Sequence, residues 1–424
     1  MAGPGGLTPP RELAERVGAH LPDGPLVVAL SGGPDSATLA LVAAASGHRV
    51  RAVTVDHGLH APLVEAARRI AAVLDLAHEV VVADDVGSSE GALREARAAA
   101  LEAAAAADES ILTGHTRDDQ AETVLSNLLR GAGTTGLSGI PPHRGHYVRP
   151  MLDVSRDEAR AAAEAAGLPF VDDPANADRA VRRNRLRHET LPDLASTYNP
   201  ELTAALARTA AAAAADDRLL ERRAGLVPLR HSGEAVLVPA GALRTLPPAV
   251  AVRVARRALR AAVGPHAGTA ADAEAVCAAA RTTGSASLSR ALLATNEGAY
   301  VAVHPVESTP APDPVTFEAA ETVSFGPWTL RPVSTPTVRT GWASVLPAGP
   351  LRVRAVEPGD VISMGSGSKS VVEALREAGV PPRLRPRWPV VEADARIAWL
   401  VGIRSAPWDG VSADVRTMAS REGM

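Results

Sequence analysis

A six-residue segment, Ser31-Gly32-Gly33-Pro34-Asp35-Ser36, has the residue types that a phosphate-binding loop needs. It follows a short apolar run at residues 26–30, which is typical of a buried strand, and a helical pattern follows at once. The two glycines let the backbone turn tightly and approach a ligand closely. The free N–H groups at the start of the helix, together with the helix dipole, favour a phosphate or pyrophosphate there. Ser31 and Ser36 can add hydroxyl donors.

Asp35 is unusual beside a polyanion, because its carboxylate repels phosphate unless it binds a metal ion that bridges to the phosphates. The segment therefore predicts a metal ligand at Asp35. It is not a Walker A loop, which requires a lysine, because the only lysine of the chain is the distant Lys369. The alternative is an ordinary turn whose Asp or Ser caps the next helix. Its position after the first buried strand favours phosphate binding.

Strands and helices alternate along the first 166 residues. Apolar runs predict strands at residues 26–30, 49–55, 79–83, 110–113 and 148–152. Helical patterns are found at residues 36–46, 62–76, 89–107 and 118–130, and a capping box at Ser155 opens another helix. This alternation predicts a parallel sheet covered on both faces, with ligands at the carboxyl ends of its strands. On the helix 118–130, the spacing predicts one buried face formed by Val124, Leu125, Leu128 and Leu129.

Composition limits the class of protein. Of 424 residues, 46% are hydrophobic and 22% are charged, which excludes wholesale disorder. The formal charge of −4 provides no global attraction to nucleic acid, so any such contact needs local basic patches. The single cysteine, Cys277, excludes a disulfide framework and a two-cysteine sulfur relay within one chain, and its Ala-rich surroundings predict a buried position. Without an apolar run of 18 residues or a signal-peptide pattern, we expect a cytoplasmic protein.

The composition changes after about residue 199, where long helical patterns begin, and again at a Pro-rich stretch near residues 307–314. All five tryptophans lie beyond that stretch. We therefore expect an N-terminal helix or tail at 1–23, an α/β catalytic domain at 24–215, a mainly helical domain at 216–310 and an α+β domain at 316–424.

The loop at residues 31–36 resembles the pyrophosphatase loop, or PP-loop, of the N-type ATP pyrophosphatases. Further segments, in the same order, are similar to the tRNA(Ile)-lysidine synthase family: Val55-Asp56-His57-Gly58-Leu59, residues 113–123, Arg149-Pro150-Met151-Leu152, Asp172-Asp173-Pro174-Ala175-Asn176 and Arg183-Asn184-Arg185-Leu186-Arg187. The stretch 383–400 is similar to the last domain of that family. The resemblance begins at about residue 24 and weakens between about 225 and 345. Two positions depart from the pattern: Thr116 replaces a histidine, and Lys369 stands where several lysines are usual.

The resemblance implies an adenine nucleotide alpha hydrolase-like parallel-sheet domain, then a helical middle domain at 216–310 and a small α+β C-terminal domain at 316–424, both of which would bind tRNA. The implied reaction ligates free lysine to the wobble cytidine of the tRNA(Ile) that has a CAU anticodon. ATP adenylates the ring carbonyl oxygen and pyrophosphate leaves; the lysine amine then attacks the ring carbon and AMP leaves. The product, lysidine, pairs with adenine and converts the codon meaning from methionine to isoleucine.

The resemblance also implies roles for individual residues. ATP and magnesium would be bound by Ser31, Gly32, Gly33, Pro34, Asp35 and Ser36, with Asp56 and His57 near the adenine or ribose. The implied catalytic residues are Asp35, His115, Asp118, Asp119 and Arg130. Asp118 and Asp119 would orient or deprotonate the lysine ammonium or share the metal, although the helix dipole alone favours acids at this position. Arg130 would neutralise charge near the transferred nucleotide, or merely cap its helix.

Basic residues crowd the segment 179–188, and the tRNA-binding residues predicted there and in the C-terminal domain are Arg182, Arg183, Asn184, Arg185, Arg187, Lys369, Arg385 and Arg387. A solvated charged face is the alternative for this cluster. Arg253, Arg256, Arg257 and Arg260 recur at helical spacing and suggest a second patch. Trp388, between arginines, would either stack on a base or belong to the core.

Two other functions stay open at this point. One is a different PP-loop enzyme, which thiolates tRNA or amidates a small molecule. The presence of a single cysteine, Cys277, disfavours this alternative, because those reactions use paired or reactive cysteines. The other is an ATP-binding RNA-interaction protein without turnover. The acids at Asp35, Asp118 and Asp119 argue against that second alternative.

Overall fold

The computed structural model describes residues 7–58, 61–83, 90–265, 267–307, 310–333, 341–347, 349–365, 367–406 and 416–421. The chain forms two compact units, Met1–Leu219 and Leu220–Met424. None of the described helices is long and apolar enough to span a membrane. The four-part division expected from the sequence stays a prediction.

A six-stranded sheet lies at the centre of the first unit. Its strands are β1 Leu26–Ala29, β2 Val50–Asp56, β3 Ala77–Val82, β4 Ser110–Leu112, β5 His143–Arg144 and β6 Tyr147–Val148. Their order is β3-β2-β1-β4-β6-β5, and all neighbours are parallel except in the β5–β6 hairpin. The predicted parallel sheet is confirmed. The chain order reverses beside β1, which places a ligand site at the carboxyl end of that strand.

Ten helices of the described chain belong to this unit or begin in it: α1 Arg11–Gly18, α2 Pro34–Ala45, α3 Ala61–Val73, α4 Glu90–Ala104, α5 Arg117–Leu128, α6 Thr134–Leu137, α7 Arg156–Ala165, α8 Arg182–Arg185, α9 Leu191–Thr197 and α10 Leu202–Gly225. A 3₁₀ turn at Pro174–Ala177 precedes α8, and a π-helical segment at Leu186–Thr190 follows it. Helix α2 packs in the main core, and Ser36 to Ala43 are all buried. Because α2 is apolar on all sides, its first turn is held firmly at the end of β1.

Two details of this unit differ from the sequence prediction. The predicted apolar face of α5 is wrong in its second half, because Leu128 and Leu129 are 53% and 60% exposed. Leu125 is buried with Leu186 and Leu191, and the next turn of α5 lies outside that cluster. The strand predicted at 148–152 ends at Val148, because Pro150 has no N–H to donate to a ladder.

The second unit begins with a five-stranded antiparallel sheet. Its strands are β7 Arg230–Ser232, β8 Ala235–Pro239, β9 Ser285–Leu288, β10 Leu292–Asn296 and β11 Tyr300–Pro305, in the order β7-β8-β11-β10-β9. Helices α11 Ala240–Thr245, α12 Pro248–Val263 and α13 Ala270–Ala279 share one core with the sheet. The sequence located α12 and α13 but missed the sheet, although β8 (AVLVP) and β11 (YVAVHP) carry the valines typical of strands. This segment is therefore α+β rather than mainly helical.

The environment of α12 also limits the second basic patch. Arg253 is buried and donates from Nη1 to the Ala249 carbonyl at 2.9 Å. Arg257 donates to the carbonyls of Ala224 and Val227. These two arginines stabilise the fold, so the four spaced arginines do not form one exposed face. Cys277 is buried in the same core, as predicted.

The rest of the second unit contains two sheets. The larger has β12 Val315–Glu318, β16 Pro350–Ala355, β17 Val361–Ser363, β18 Ser368–Ser370, β19 Pro389–Ala393, β20 Arg396–Leu400 and β21 Arg404–Ser405, and the smaller has β13 Val323–Phe325, β14 Trp328–Val333, β15 Ala343–Val345 and β22 Arg416–Arg421. Helix α14 Val371–Glu377 and a 3₁₀ helix at Pro382–Arg387 complete the α+β region. Trp388 is 7% exposed, contacts Trp328 edge-on and donates its Nε1–H to the Val401 carbonyl. It therefore belongs to the core and does not present a ring for stacking on a base.

Candidate active site

The loop at residues 31–36, called the phosphate loop below, joins β1 to α2 in a conformation that requires glycine. Gly32 has φ +85°, and a Cβ at this position would lie 2.2 Å from the Leu63 carbonyl oxygen. Gly33 is the extended N-cap residue of α2, and Pro34 is the first residue of the helix. The first N–H groups of a helix have no intrahelical acceptor. The loop therefore presents a site for an anion at the carboxyl edge of the sheet.

Hydroxyl groups fix the shape of the phosphate loop. The Ser36 hydroxyl donates to the Gly33 carbonyl at 3.0 Å and accepts from the Ser31 N–H at 3.1 Å. The two hydroxyl oxygens of Ser31 and Ser36 are 3.0 Å apart. A Cβ on Gly114 would lie 3.1 Å from the Asp35 carbonyl group, so the loop after β4 packs directly against the phosphate loop. Gly32 and Gly114 are both needed, because a side chain at either position would collide with the neighbouring backbone.

A cavity of about 140 Å³ lies beside the phosphate loop, at the ends of β1 and β2. Its lining combines apolar side chains with a polar rim: Ala29, Leu30, Ser31, Val53, Thr54, Val55, Asp56, His57, Leu63, Val64, Arg97, Leu101 and Asp173. Asp56 and His57 both line this cavity, and their predicted place near the adenine or ribose stays a prediction. Asp56 accepts from the Gly58 N–H, whereas His57 Nδ1 is buried without a hydrogen-bond partner in the described part of the chain. Burial, then Arg97, lowers the pKa of His57, so its ring is neutral near neutral pH.

Asp35 lies in the first turn of α2, and one of its two carboxylate oxygens is unpaired. Its Oδ1 is buried and has no hydrogen-bond partner among the described residues, whereas its Oδ2 is 3.8 Å from Nε of Arg156. Burial raises the pKa of Asp35 to about 6, Arg156 opposes the rise, and Asp119 adds to it. An unpaired buried oxygen of this kind fits a cation. The described residues contain no cluster of three or more metal-ligating side chains, so phosphate oxygens and water would complete the shell, as is usual for Mg²⁺.

His115 follows β4 and faces a positive environment. Its Nδ1 is 2.9 Å from the Thr113 hydroxyl. Burial lowers the pKa of His115 to about 4; Asp119 opposes this shift, and Arg149 and Arg183 reinforce it. His115 is therefore neutral at neutral pH and acts there as a hydrogen-bonding group rather than as a cation.

The two acids at the start of α5 have different environments. Asp119 closes a capping box, because its Oδ2 accepts from the Thr116 N–H at 2.8 Å and from the Thr116 hydroxyl at 3.1 Å. Burial raises the pKa of Asp119, but Arg183 and Arg156 outweigh burial and hold it below its ordinary value. Asp118 accepts from the Arg156 backbone N–H at 2.8 Å. Thr116, which departs from the family pattern, thus has a structural role.

A buried cluster of charges joins α5, α7 and the segment around α8. Asp119 Oδ1 lies 3.1 Å from Arg156, 2.8 Å from Arg183 and 3.4 Å from Arg187. Glu122, 2% exposed, lies 3.2, 2.8 and 2.6 Å from the same three guanidinium groups. Sequence reasoning missed Glu122 and Arg156. The sequence did contain a signal for Glu122, because it lies three residues after Asp119 and therefore on the same face of the helix. For Arg156 the sequence contained no signal apart from its position in a capping box.

The other predicted site residues have varied positions. Arg130 is exposed and donates to the Asn127 side chain, so its own helix engages it. Asn184 is buried and donates to the carbonyls of Ala175 and Asp178, which makes it a support of that turn. Arg182 and Arg185 are exposed. In the second unit, Lys369 pairs with Glu377, Arg385 donates to the Val380 carbonyl, and Arg387 is half-buried.

This geometry defines an ATP-using enzyme of the PP-loop class, and the family model described as "PP-loop domain" matches residues 10–194. A second model, "TilS substrate C-terminal domain", matches residues 351–410. The tRNA(Ile)-lysidine synthase of Salinispora arenicola is 44% identical over 275 residues, covering 58% of this chain and 81% of that protein. The enzyme of the same name from Thermobifida fusca is 42% identical over 265 residues, covering 59% and 82%. This chain belongs to the tRNA(Ile)-lysidine synthase family.

Gly32→Ala tests the close approach in the phosphate loop, with Gly47→Ala as a matched control. Both residues have a left-handed backbone, with φ +85° and φ +81°, so both substitutions cost about 1–2 kcal/mol of strain. Only at residue 32 does the new methyl group also meet a carbonyl oxygen. We expect a larger loss of unfolding free energy in urea for Gly32→Ala, and normal ATP binding for Gly47→Ala. Equal losses in the two variants would contradict the packing argument.

Asp35→Asn tests the raised pKa of Asp35 through the pH dependence of the unfolding free energy. A folded-state pKa of about 6 exceeds the ordinary 3.8, so stability present below pH 4 is lost as the pH rises through 6. The neutral asparagine avoids that loss. We expect the variant to exceed the parent in unfolding free energy by about 2–3 kcal/mol at pH 7.5, and by little at pH 4. The control Asp157→Asn, at an exposed position, should change the unfolding free energy by less than about 1 kcal/mol at either pH. A pH-independent difference would show that Asp35 is not a strained buried acid.

Proposed function

We propose that this chain ligates free lysine to the wobble cytidine of tRNA(Ile) with a CAU anticodon, using ATP and Mg²⁺ and releasing AMP and pyrophosphate. Lysidine formation on tRNA(Ile) is the activity named for the family to which the chain belongs. One observation carries the proposal: the phosphate loop, the unpaired Asp35 oxygen and a base-sized cavity lie together at one edge of the sheet. Such an edge is where α/β sheets bind nucleotides.

In this proposal the cavity binds the base of ATP, and the phosphate loop binds its phosphates. The apolar walls suit a purine ring, and the unpaired Nδ1 of His57 offers it one polar contact. The N–H groups at the start of α2 suit the phosphates. Asp35 Oδ1 would hold Mg²⁺, which neutralises phosphate charge when bound.

The reaction needs no covalent protein nucleophile. In the first step the carbonyl oxygen of the cytidine ring bonds to the α-phosphorus, and the bond to the pyrophosphate oxygen breaks. In the second step the lysine amine bonds to the ring carbon, and the carbon–oxygen bond to AMP breaks. A ring carbonyl is a poor electrophile, and its conversion to a phosphate ester supplies a good leaving group. The chain must therefore mainly position three substrates and accept protons.

Acids at the start of α5 are suited to the amine. The arginines that surround Asp119 keep its carboxylate ionised. Asp118 uses Oδ2 for the Arg156 N–H, and within the described part of the chain its Oδ1 has no hydrogen-bond partner. We infer that these carboxylates orient the lysine ammonium and take up its proton. His115, neutral and buried beside them, can contribute a hydrogen bond without adding charge.

Incubation with ATP, labelled lysine and tRNA transcripts tests the proposal directly. We expect lysine to enter a tRNA(Ile) transcript with a CAU anticodon, with one AMP and one pyrophosphate formed per lysine. A methionine tRNA transcript, which has the same anticodon, serves as the control and should stay unlabelled. Absence of label in the isoleucine transcript, with ATP still bound, would overturn the proposed function.

The arginines of the basic segment differ in their surroundings. Arg183 and Arg187 are half-buried and paired with Asp119 and Glu122, so their charges are already compensated. Arg182 and Arg185 are exposed and leave their guanidinium groups available for phosphate. We therefore assign tRNA backbone contacts to the exposed pair.

The double variant Arg182→Ala/Arg185→Ala should weaken tRNA binding and flatten its salt dependence. Each lost phosphate contact lowers the slope of log Kd against log salt by about 0.7–0.9. Arg11→Ala/Arg69→Ala removes the same charge from exposed positions on α1 and α3, and should leave that slope unchanged. Filter binding at several salt concentrations measures both. Equal slopes for the two variants would mean that Arg182 and Arg185 only solvate a surface.

A further inference from the structure

Arg149 is a half-buried cation that the reaction described above does not use. It follows β6 directly, its Nη1 donates to the Pro141 carbonyl at 2.8 Å, and its guanidinium carbon lies 5.9 Å from the centre of the Tyr147 ring. Its Nε is buried without a partner, and within the described chain Arg149 forms no ion pair. Buried donors are normally satisfied by protein, water or ligand.

Arg117 is a similar arginine whose charge is balanced by a carboxylate. Arg117 also has a buried Nε without a hydrogen-bond partner. Its guanidinium, however, lies 3.8 Å from the Glu158 carboxylate, which balances its charge. No such carboxylate accompanies Arg149 among the described residues. The lack of a nearby carboxylate therefore distinguishes Arg149 from Arg117 within the described residues.

The position of Arg149 places it at the reaction edge of the sheet. The Thr113 N–H donates to the Val148 carbonyl at 3.0 Å, which sets the residue after β4 beside Arg149. The Thr113 hydroxyl in turn holds His115 at 2.9 Å. Arg149 also contributes to the lowered pKa of His115, which agrees with their proximity. Arg149 and His115 therefore both follow strands at the carboxyl edge of the sheet.

The geometry of the free edge selects the kind of anion. With Nη1 engaged by Pro141, the edge formed by Nε and Nη2 remains, and such a fork matches two oxygens of a planar carboxylate. The ATP phosphates already have donors at the start of α2. The substrate that still lacks an anion site is the free amino acid. We infer that Arg149 binds the α-carboxylate of the free lysine, an inference that rests on the proposed ligation reaction.

This subsite gives the lysine two fixed ends. The carboxylate is held by Arg149 after β6, and the ammonium is directed to the acids at the start of α5. Two-point attachment orients the amine toward the reacting carbon. It also makes the enzyme select an amino acid over a simple amine of the same chain length, because only the former has an anion to match the guanidinium.

Arg149→Met tests the inference, with Arg144→Met as the control. Arg144 is an exposed cation on the same β5–β6 hairpin. We expect Arg149→Met to raise the KM for lysine about 10- to 100-fold, the effect of losing hydrogen bonds to a charged group. The KM values for ATP and tRNA should stay within about twofold of the parent, and Arg144→Met should match the parent throughout. Arg149→Lys, which keeps the charge but lacks the fork, should recover part of the loss.

A probe without the carboxylate sharpens the result. 1,5-Diaminopentane is offered as an alternative substrate and as a competitor of labelled lysine. Its inhibition constant should be the same for the parent and Arg149→Met, because it makes no contact with Arg149. A rise in the KM for ATP or tRNA instead of lysine would overturn the inference and assign Arg149 to a phosphate. Equal weakening of lysine and diaminopentane would overturn it as well.

Folding and the underlying reaction are checked separately. Thermal unfolding of Arg149→Met and Arg149→Lys shows whether a change in KM reflects lost structure; a raised KM for lysine only in a variant that no longer folds normally would contradict the inference. Failure of the parent protein to ligate lysine would overturn the proposed function and this subsite together. Failure of only the variant to change its lysine KM would overturn the subsite and leave the proposed function intact.

Discussion

Arg156 holds together the acidic groups on which the first unit depends. Its guanidinium lies 3.1 Å from Asp119, 3.2 Å from Glu122 and 3.8 Å from Asp35, and its backbone N–H binds Asp118. Two buried carboxylates so close together repel each other strongly unless cations share the space. Arg156, with Arg183 and Arg187, makes that arrangement stable. Removal of one partner of such a cluster would leave a buried charge, which is far more costly than the net gain from the pairs.

The same cluster connects parts of the chain that must act together. Asp35 belongs to the phosphate loop, Asp119 and Glu122 to α5, and Arg183 and Arg187 to the basic segment whose exposed members are assigned to tRNA. The phosphate loop, the acids proposed to bind the amine and the segment proposed to contact tRNA are thereby joined by one ionic network. Because each guanidinium has a fixed fork, the network also fixes angles between the elements.

Unpaired buried atoms lie at the substrate positions proposed around this network. Among the described residues, Asp35 Oδ1, His57 Nδ1 and Arg149 Nε are buried without hydrogen-bond partners, as are Nε of Arg117 and of Arg253, and the first three follow strands at the carboxyl edge of the sheet. A fold that satisfies nearly all its buried polar groups leaves few such atoms without a use. Their chemistry matches three ligands in turn: a cation at the phosphates, a polar edge of the base, and a carboxylate.

The phosphate loop, the alternation of strands and helices, and the family could be predicted from the sequence alone. These depend on local rules: a left-handed glycine, an apolar run of strand length, and the order of short motifs along the chain. The three-dimensional arrangement was needed to show that Arg183 and Arg187 pair with buried acids, that Arg253 and Trp388 are buried, and that Arg149 has no carboxylate partner within the described ranges. The physical reason is that the partner of a charged side chain is set by residues distant in the sequence. An arginine next to other arginines looks the same in sequence, whether it binds phosphate or a glutamate from another helix.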